Sequence, residues 1–252
     1  VLRNFYRFIY DVGRSAAMTP GEIVAQVSRV EGREHYDAAR ALRRGAVIAT
    51  AHLGSFEVGI AALRELEEKV HVVFQRDVFG AFDELRDRLH AKLGVIPAPV
   101  EQGVGVWMSL RDALVRDEVA LLQADRVMPG HRGVSVPFCG GRVELPTGPV
   151  KLAAISGAPI LPVFTVREPD RSMRLIIEPA IEVGPRDGMV NSEEPSPPML
   201  ELAAVIERQV RRCPEQWLML HKVWGDATAA RLSPGGEDAL GAGACEGELV
   251  HA

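Results

Sequence analysis

Between residues 45 and 125, short apolar runs rich in β-branched residues alternate with longer amphipathic ones, and this rhythm limits the possible folds more than any other feature of the chain. "AVIATA", "VHVVFQ" and "EVALLQA" have the length and composition of buried strands. "SFEVGIAALRELEEK", "AFDELRDRLHAKLG" and "VWMSLRDALVRD" place apolar residues three and four apart, the spacing of helices that cover a sheet. Further along, "APILPVFTV" and "MRLIIEPAIEV" read as two strands with no helix between them, so that part of the sheet is expected to be antiparallel. "PMLELAAVIERQVRRC" reads as a final helix. The expected class is α/β, with a mixed central sheet flanked by helices.

Ahead of this core, "VLRNFYRFIYDVGR" sets Leu2, Phe5, Tyr6, Ile9 and Val12 at helical spacing, with Arg3, Arg7 and Arg14 interleaved. Such a helix either packs on the core with its arginines solvated or lies in a membrane interface. "TPGEIVAQVSRV" reads as a second helix, with Thr19 as N-cap and Pro20 in the first turn, and "REHYDAARALRR" as a third, stopped by Gly45. The expected organisation is therefore a small, membrane-facing N-terminal helical segment over 1–44, an α/β domain over 45–225 and a disordered tail over 226–252, rich in Gly and Ala. "GPRDGMVNSEEPSPP" is expected to be a loop.

Composition narrows the function classes. With 252 residues, 47% hydrophobic and 25% charged, the chain can bury a substantial core. A net charge of −5 argues against a nucleic-acid partner. Cys139, Cys213 and Cys245 have neither zinc-like spacing nor a disulfide framework, which points to a reducing compartment. No run reaches the roughly 18 apolar residues of a spanning helix, since the longest candidate is interrupted by Lys151, Ser156, Gly157, Pro159 and Pro162. The chain opens on Val1 rather than Met, which leaves room for an upstream anchor.

The first strand ends in "AHLGSFE", delivering His52 and then Glu57 to a turn. On one continuous helix, residues five apart point about 140° from each other, so the two side chains cooperate only if the chain folds back between them. Gly54 supplies the tight turn, Ser55 caps the next helix, and Glu57 falls in its first turn, where the helix dipole favours a carboxylate. Glu57 then reaches the imidazole, fixes its tautomer and leaves the other nitrogen as a general base. A structural histidine beside an acidic helix start is the competing reading. No serine or cysteine is placed as a nucleophile, so direct transfer is expected. His52, His71, His90 and Glu57 lack HExxH-like spacing, and no metal site is expected.

With these residues placed, "AHLGSFE" resembles the H-x4-D/E motif of glycerolipid-type acyltransferases, and its Glu-ending form is similar to that of the bacterial lipid A biosynthesis late acyltransferases. "VFQRD", the long block beginning "LLQADRVMPGHRG" and running through "LPTGPVKLAAISGAP", and "PEQWLMLHKVW" resemble further blocks of that family in the same order, from about residue 30 to 224. The resemblance implies a glycerolipid-acyltransferase-like fold with His52 as base and Glu57 as its partner. It implies that Arg76, Asp125 and Arg126 lie near the active cleft, an arginine there binding a phosphate or the donor's phosphopantetheine arm, or orienting a carboxylate. Gly54, Ser55, Thr147 and Gly148 join them as substrate-binding positions, with Thr147 capping the helix "PVKLAAIS".

The implied reaction moves a fatty acyl chain from an acyl carrier protein or coenzyme A thioester to a hydroxyl of a lipid A precursor-like glycolipid, with no metal or bound cofactor. Backbone N–H groups or Arg76 would stabilise the oxyanion, and "VPFCGG" would line an acyl groove. The expected location is the cytoplasmic face of a bacterial inner membrane. The chain departs from the pattern at Cys139, where a second aromatic is usual, and in lacking an N-terminal hydrophobic anchor. "QADR" replaces the commoner "DQD" and drifts toward the phosphatidylinositol mannoside acyltransferases, which keeps that acceptor open as the alternative. Absence of an "FPEGT" block counts against glycerol phosphate. A non-catalytic lipid-binding protein of the same fold is the alternative from another class.

Overall fold

The computed structural model describes residues 2–76, 80–127, 131, 133–188, 194–220 and 223. The tail expected over 226–252 and the middle of the loop expected over 184–198 lie outside the described residues. In chain order the elements are α1 (Leu2–Ala17), α2 (Pro20–Val24), β1 (Val27–Glu31), α3 (Arg33–Ala41), β2 (Ala46–Thr50), α4 (Phe56–Leu66), β3 (Val70–Phe74), α5 (Gly80–Leu93) and β4 (Ile96–Pro99). They continue with α6 (Val104–Val115), β5 (Val119–Gln123), β6 (Gly133–Phe138), β7 (Gly141–Pro146), α7 (Gly148–Ser156), β8 (Ile160–Arg167), β9 (Met173–Ile177) and α8 (Pro197–Arg212).

Seven strands form a central sheet in the order β1-β9-β8-β2-β5-β3-β4. All neighbours are parallel except β8 and β9, which pair antiparallel from Val163–Ile177 to Arg167–Met173. The expected α/β class and mixed sheet are therefore present, with the antiparallel pair where the missing helix placed it. β2 is central and buried along its whole length. Its period-2 alternation divides it between two cores. Val47 and Ala49 face one that includes α6, α7 and α8 residues such as Leu110, Leu152 and Ile206. Ala46 and Ile48 face another, which takes in Phe8 and Val12 of α1, Tyr36 of α3, Ile60 of α4 and Leu89 of α5.

Four strands escape the periodicity. "VAQVSRV" was expected to continue a helix, yet α2 stops at Val24 and Val27–Glu31 becomes edge strand β1 on β9. Gln26 and the β-branched Val27 and Val30 find backbone partners on β9 that a five-residue helix does not offer. β4 carries Pro97 and Pro99, which an edge strand tolerates because one side of its backbone needs no ladder partner. β6 and β7 form a separate two-stranded hairpin closed by Cys139 (φ 51°) and Gly140 (φ 80°), both left-handed as a primed hairpin turn requires. The "VPFCGG" segment is thus a hairpin tip, and its Phe138 is fully buried against the Trp217 ring at 5.5 Å rather than open as an acyl groove.

Candidate active site

β2, β5 and β3 are parallel neighbours, so their C-terminal ends stand side by side. Ligands of open α/β sheets collect at such ends. His52 leaves the end of β2 and Asp125 the end of β5. The Asp125 carboxylate bridges the two, accepting from the His52 backbone N–H at 2.9 Å through Oδ2 and meeting His52 Nδ1 at 2.8 Å through Oδ1. Trp217 Nε1–H donates to the same Oδ2 at 2.9 Å. Asp125 is 2% exposed. Burial alone would raise its carboxyl, but the adjacent imidazole and the hydrogen bonds from His52 and Trp217 outweigh this and hold it below the usual carboxylate range. The His52 side chain keeps 17% of its surface open, and Nε2 makes no hydrogen bond among the described residues. An imidazole held by a carboxylate at Nδ1 with Nε2 available has the arrangement that general-base chemistry requires.

The turn that carries His52 is fixed by the C-terminal segment. Leu218 N–H donates to His52 O at 2.7 Å, Gly54 N–H to Gln216 O at 3.0 Å, and Leu53 bridges Trp217. The Gln216 side chain is itself held by the Arg167 backbone, accepting from N–H at 2.8 Å and donating to the carbonyl at 2.9 Å. Gly54 sits at φ 62°, and a Cβ there would lie 2.1 Å from Thr165 O, so only glycine fits. Ser55 N–H donates to Thr165 O at 3.2 Å. The N–H groups of Gly54 and Ser55 are therefore already engaged and are not spare donors for an oxyanion.

Glu57 does not partner His52. The carboxylate lies in the first turn of α4 as expected, but its Oε2 meets His90 Nε2 of α5 at 3.0 Å. The fold back at Gly54 does not turn Glu57 onto His52, because α4 directs that position toward its neighbour α5. Ser55 occupies the N-cap position, yet its side chain makes no capping bond, and its buried Oγ has no hydrogen-bond partner among the described residues. Thr147 precedes α7 in helical backbone geometry (φ −83°, ψ −5°) and makes no side-chain cap either. Gly148 faces Trp107, to which a Cβ would come within 3.3 Å. Arg76, just beyond β3, donates its N–H to Glu101 at 2.9 Å and lies 3.7 Å from Asp87; Arg126 is exposed next to Asp125. Among the described residues, no hydrogen bond or ion pair joins Arg76, Arg126, Thr147 or Gly148 to the His52–Asp125 pair.

Beside His52 an apolar cavity lies between the sheet and α4. Thr50, Phe56, Gly59, Leu63, Val163 and Thr165 are among its lining. The Phe56 ring stands edge-on to the His52 ring at 6.0 Å, so one residue touches both the imidazole and the cavity. Sequence reasoning missed Trp217 as a partner of the carboxylate. Its segment stands out in the sequence, but a contact across 92 positions has no local signature.

The sequence profile of bacterial lipid A biosynthesis acyltransferases matches residues 1–225. Phosphatidylinositol mannoside acyltransferases from two strains of Mycobacterium tuberculosis are each 27% identical over 229 residues, which is 88% of this chain and 68% of those proteins. The phosphatidylinositol mannoside acyltransferase of Mycolicibacterium smegmatis is 25% identical over 240 residues, 92% of this chain and 74% of that protein. The profile spans the whole sheet and every residue around His52, and the chain belongs to the bacterial lipid A biosynthesis acyltransferase family.

Proposed function

We propose that this acyltransferase moves a fatty acyl chain from a thioester donor, acyl carrier protein or coenzyme A, to a hydroxyl of a mannosylated phosphatidylinositol. The observation that carries the reading is His52, clamped at Nδ1 by Asp125 with Nε2 open beside an apolar cavity. Nε2 takes the proton of the acceptor hydroxyl as its oxygen attacks the thioester carbonyl. Asp125, already ionised, stabilises the imidazolium that results, and the thiolate leaves with the proton that His52 returns. The donor's chain packs along the apolar α4 wall of this cavity, where Phe56, Leu63 and Leu66 are set within about 15 Å at 1.5 Å per residue. The acceptor class rests on the names of the mycobacterial relatives; the family's own description favours a lipid A precursor as the second reading.

Acceptor and product are amphipathic, and α1 is the surface proposed to meet the membrane. No described helix is long and apolar enough to cross one.

The test is transfer of labelled acyl chains from both donors to both acceptors. Wild type is expected to acylate the mannosylated lipid, and His52→Ala and Asp125→Asn to lose roughly 10²- to 10⁴-fold in kcat with far-UV dichroism unchanged. Undiminished transfer by His52→Ala would sink the mechanism; acylation of the lipid A precursor alone would move the acceptor to the second reading.

A further inference from the structure

We infer that His90 is a positioning residue for the transfer, acting on the active site through Glu57; this rests on the function proposed above. Glu57 is 2% exposed and His90 4%, and they are joined at 3.0 Å. His90 shares one face of α5 with Asp83 and Arg86, three and seven positions along the helix from Asp83. Arg86 pairs with Asp83 and lies over the Phe74 ring at 4.5 Å, while the Phe74 ring meets His90 edge-on at 6.3 Å. Four ionisable side chains are thus buried on the α4–α5 side of the sheet, and the chemistry at His52 Nε2 uses none of them.

This cluster is not a saturated structural network. Glu57 Oε1, His90 Nδ1 and Arg86 Nε have no hydrogen-bond partner among the described residues. Buried polar groups are ordinarily paired, and an apolar filling of the same space would cost less. What the pair does supply is a fixed start to α4. Glu57 directly follows Phe56, whose ring touches His52, leans on Phe8 of α1 at 5.0 Å and walls the cavity. Anchoring Glu57 on α5 therefore sets Phe56 between the imidazole and the acyl chain. Without His90 the buried carboxylate loses its partner on α5 and draws the helix start toward water, and Phe56 loses its place.

The experiment is initial-rate kinetics on His90→Gln, whose amide still reaches Glu57, on His90→Leu, which fills the space without a donor, and on the apolar pair E57L/H90L. His90→Leu is expected to lower kcat by roughly tenfold or more with KM little changed, and H90L with E57A to be no slower than H90L alone, as for residues acting as one unit. His90→Gln is expected to recover most of the rate. E57L/H90L removes both members of the Glu57–His90 pair and serves as the folded reference should H90L not fold; it too is expected to be slow. Equal kcat in H90L and H90Q, or a wild-type kcat in E57L/H90L, overturns the inference. His52→Ala in the same assay separates the two proposals: if it is inactive while E57L/H90L is fully active, only the positioning role fails.

Discussion

Asp125 collects three hydrogen bonds on two oxygens, from the His52 backbone, the His52 ring and the Trp217 indole. It fixes His52 twice, once by its ring and once by the chain that carries it. Each contact keeps a carboxylate ionised where burial opposes it. Trp217→Phe removes the indole donor and leaves an aromatic ring facing Phe138. Loss of a hydrogen bond to a buried charge is expected to cost about 1.5–3 kcal/mol, read as a lower urea midpoint at unchanged m. Glu57 teaches the complementary lesson. Its position in the first turn of α4 was legible from spacing and the dipole, but its partner was not. Either His52 or His90 satisfies a buried carboxylate locally, and only the direction in which α4 leaves the sheet selects His90.

α1 shows the same division at the scale of an element. Its 3.6-residue period was legible, and the buried stripe Phe8, Asp11, Val12, Ser15 follows it. The opposite face exposes Leu2, Arg3, Tyr6, Arg7, Tyr10 and Arg14, with no acidic side chain, because Asp11 turns inward to pair with Arg167. This basic, tyrosine-bearing face belongs to a chain of net charge −5, so it is locally distinct. The helix also stands next to the site, with Asn4 donating to Glu215 O at 2.7 Å and Phe8 against Phe56. Sedimentation with phosphatidylcholine vesicles is expected to require added phosphatidylglycerol and to weaken with salt. Near an anionic surface each arginine contributes about 1 kcal/mol, so replacing Arg3, Arg7 and Arg14 by Gln is expected to lower binding by roughly 100-fold. Equal binding to neutral and anionic vesicles would remove the charge argument.

At the scale of the whole molecule, a carboxylate at the other end of the sheet from His52 contributes to acid stability. Glu118, just before β5, accepts from His71 at 2.7 Å, Arg116 at 3.1 Å and Lys69 at 3.2 Å. Burial pushes its carboxyl up, but these partners win and bring it from 4.5 to about 2. A folded value below the unfolded one means that the unfolded chain binds the extra proton. The contribution is therefore complete above pH 4.5 and is lost as pH falls toward about 2. Glu118→Gln is expected to flatten the fall of unfolding free energy in that window by up to about 1.4 kcal/mol per pH unit in low salt, and by less in high salt because Arg116 and Lys69 are half exposed. Urea titrations at several pH values check this.

The sequence by itself determined the α/β class, the buried central strand and the delivery of His52 to its end, because strand burial and helix period are written in neighbouring residues. It also determined that Gly54 makes the turn. β1 and β4 were lost because an edge strand needs only one partner, and "VSRVE" and "IPAP" are polar or proline-broken enough to hide. Only the tertiary structure decided which carboxylate pairs with His52. Strand order sets β5 beside β2 and the C-terminal segment over both, bringing Asp125 and Trp217 to a histidine 73 positions away from the first of them. Hydrogen bonds at that sequence separation depend on topology, and no local pattern encodes them.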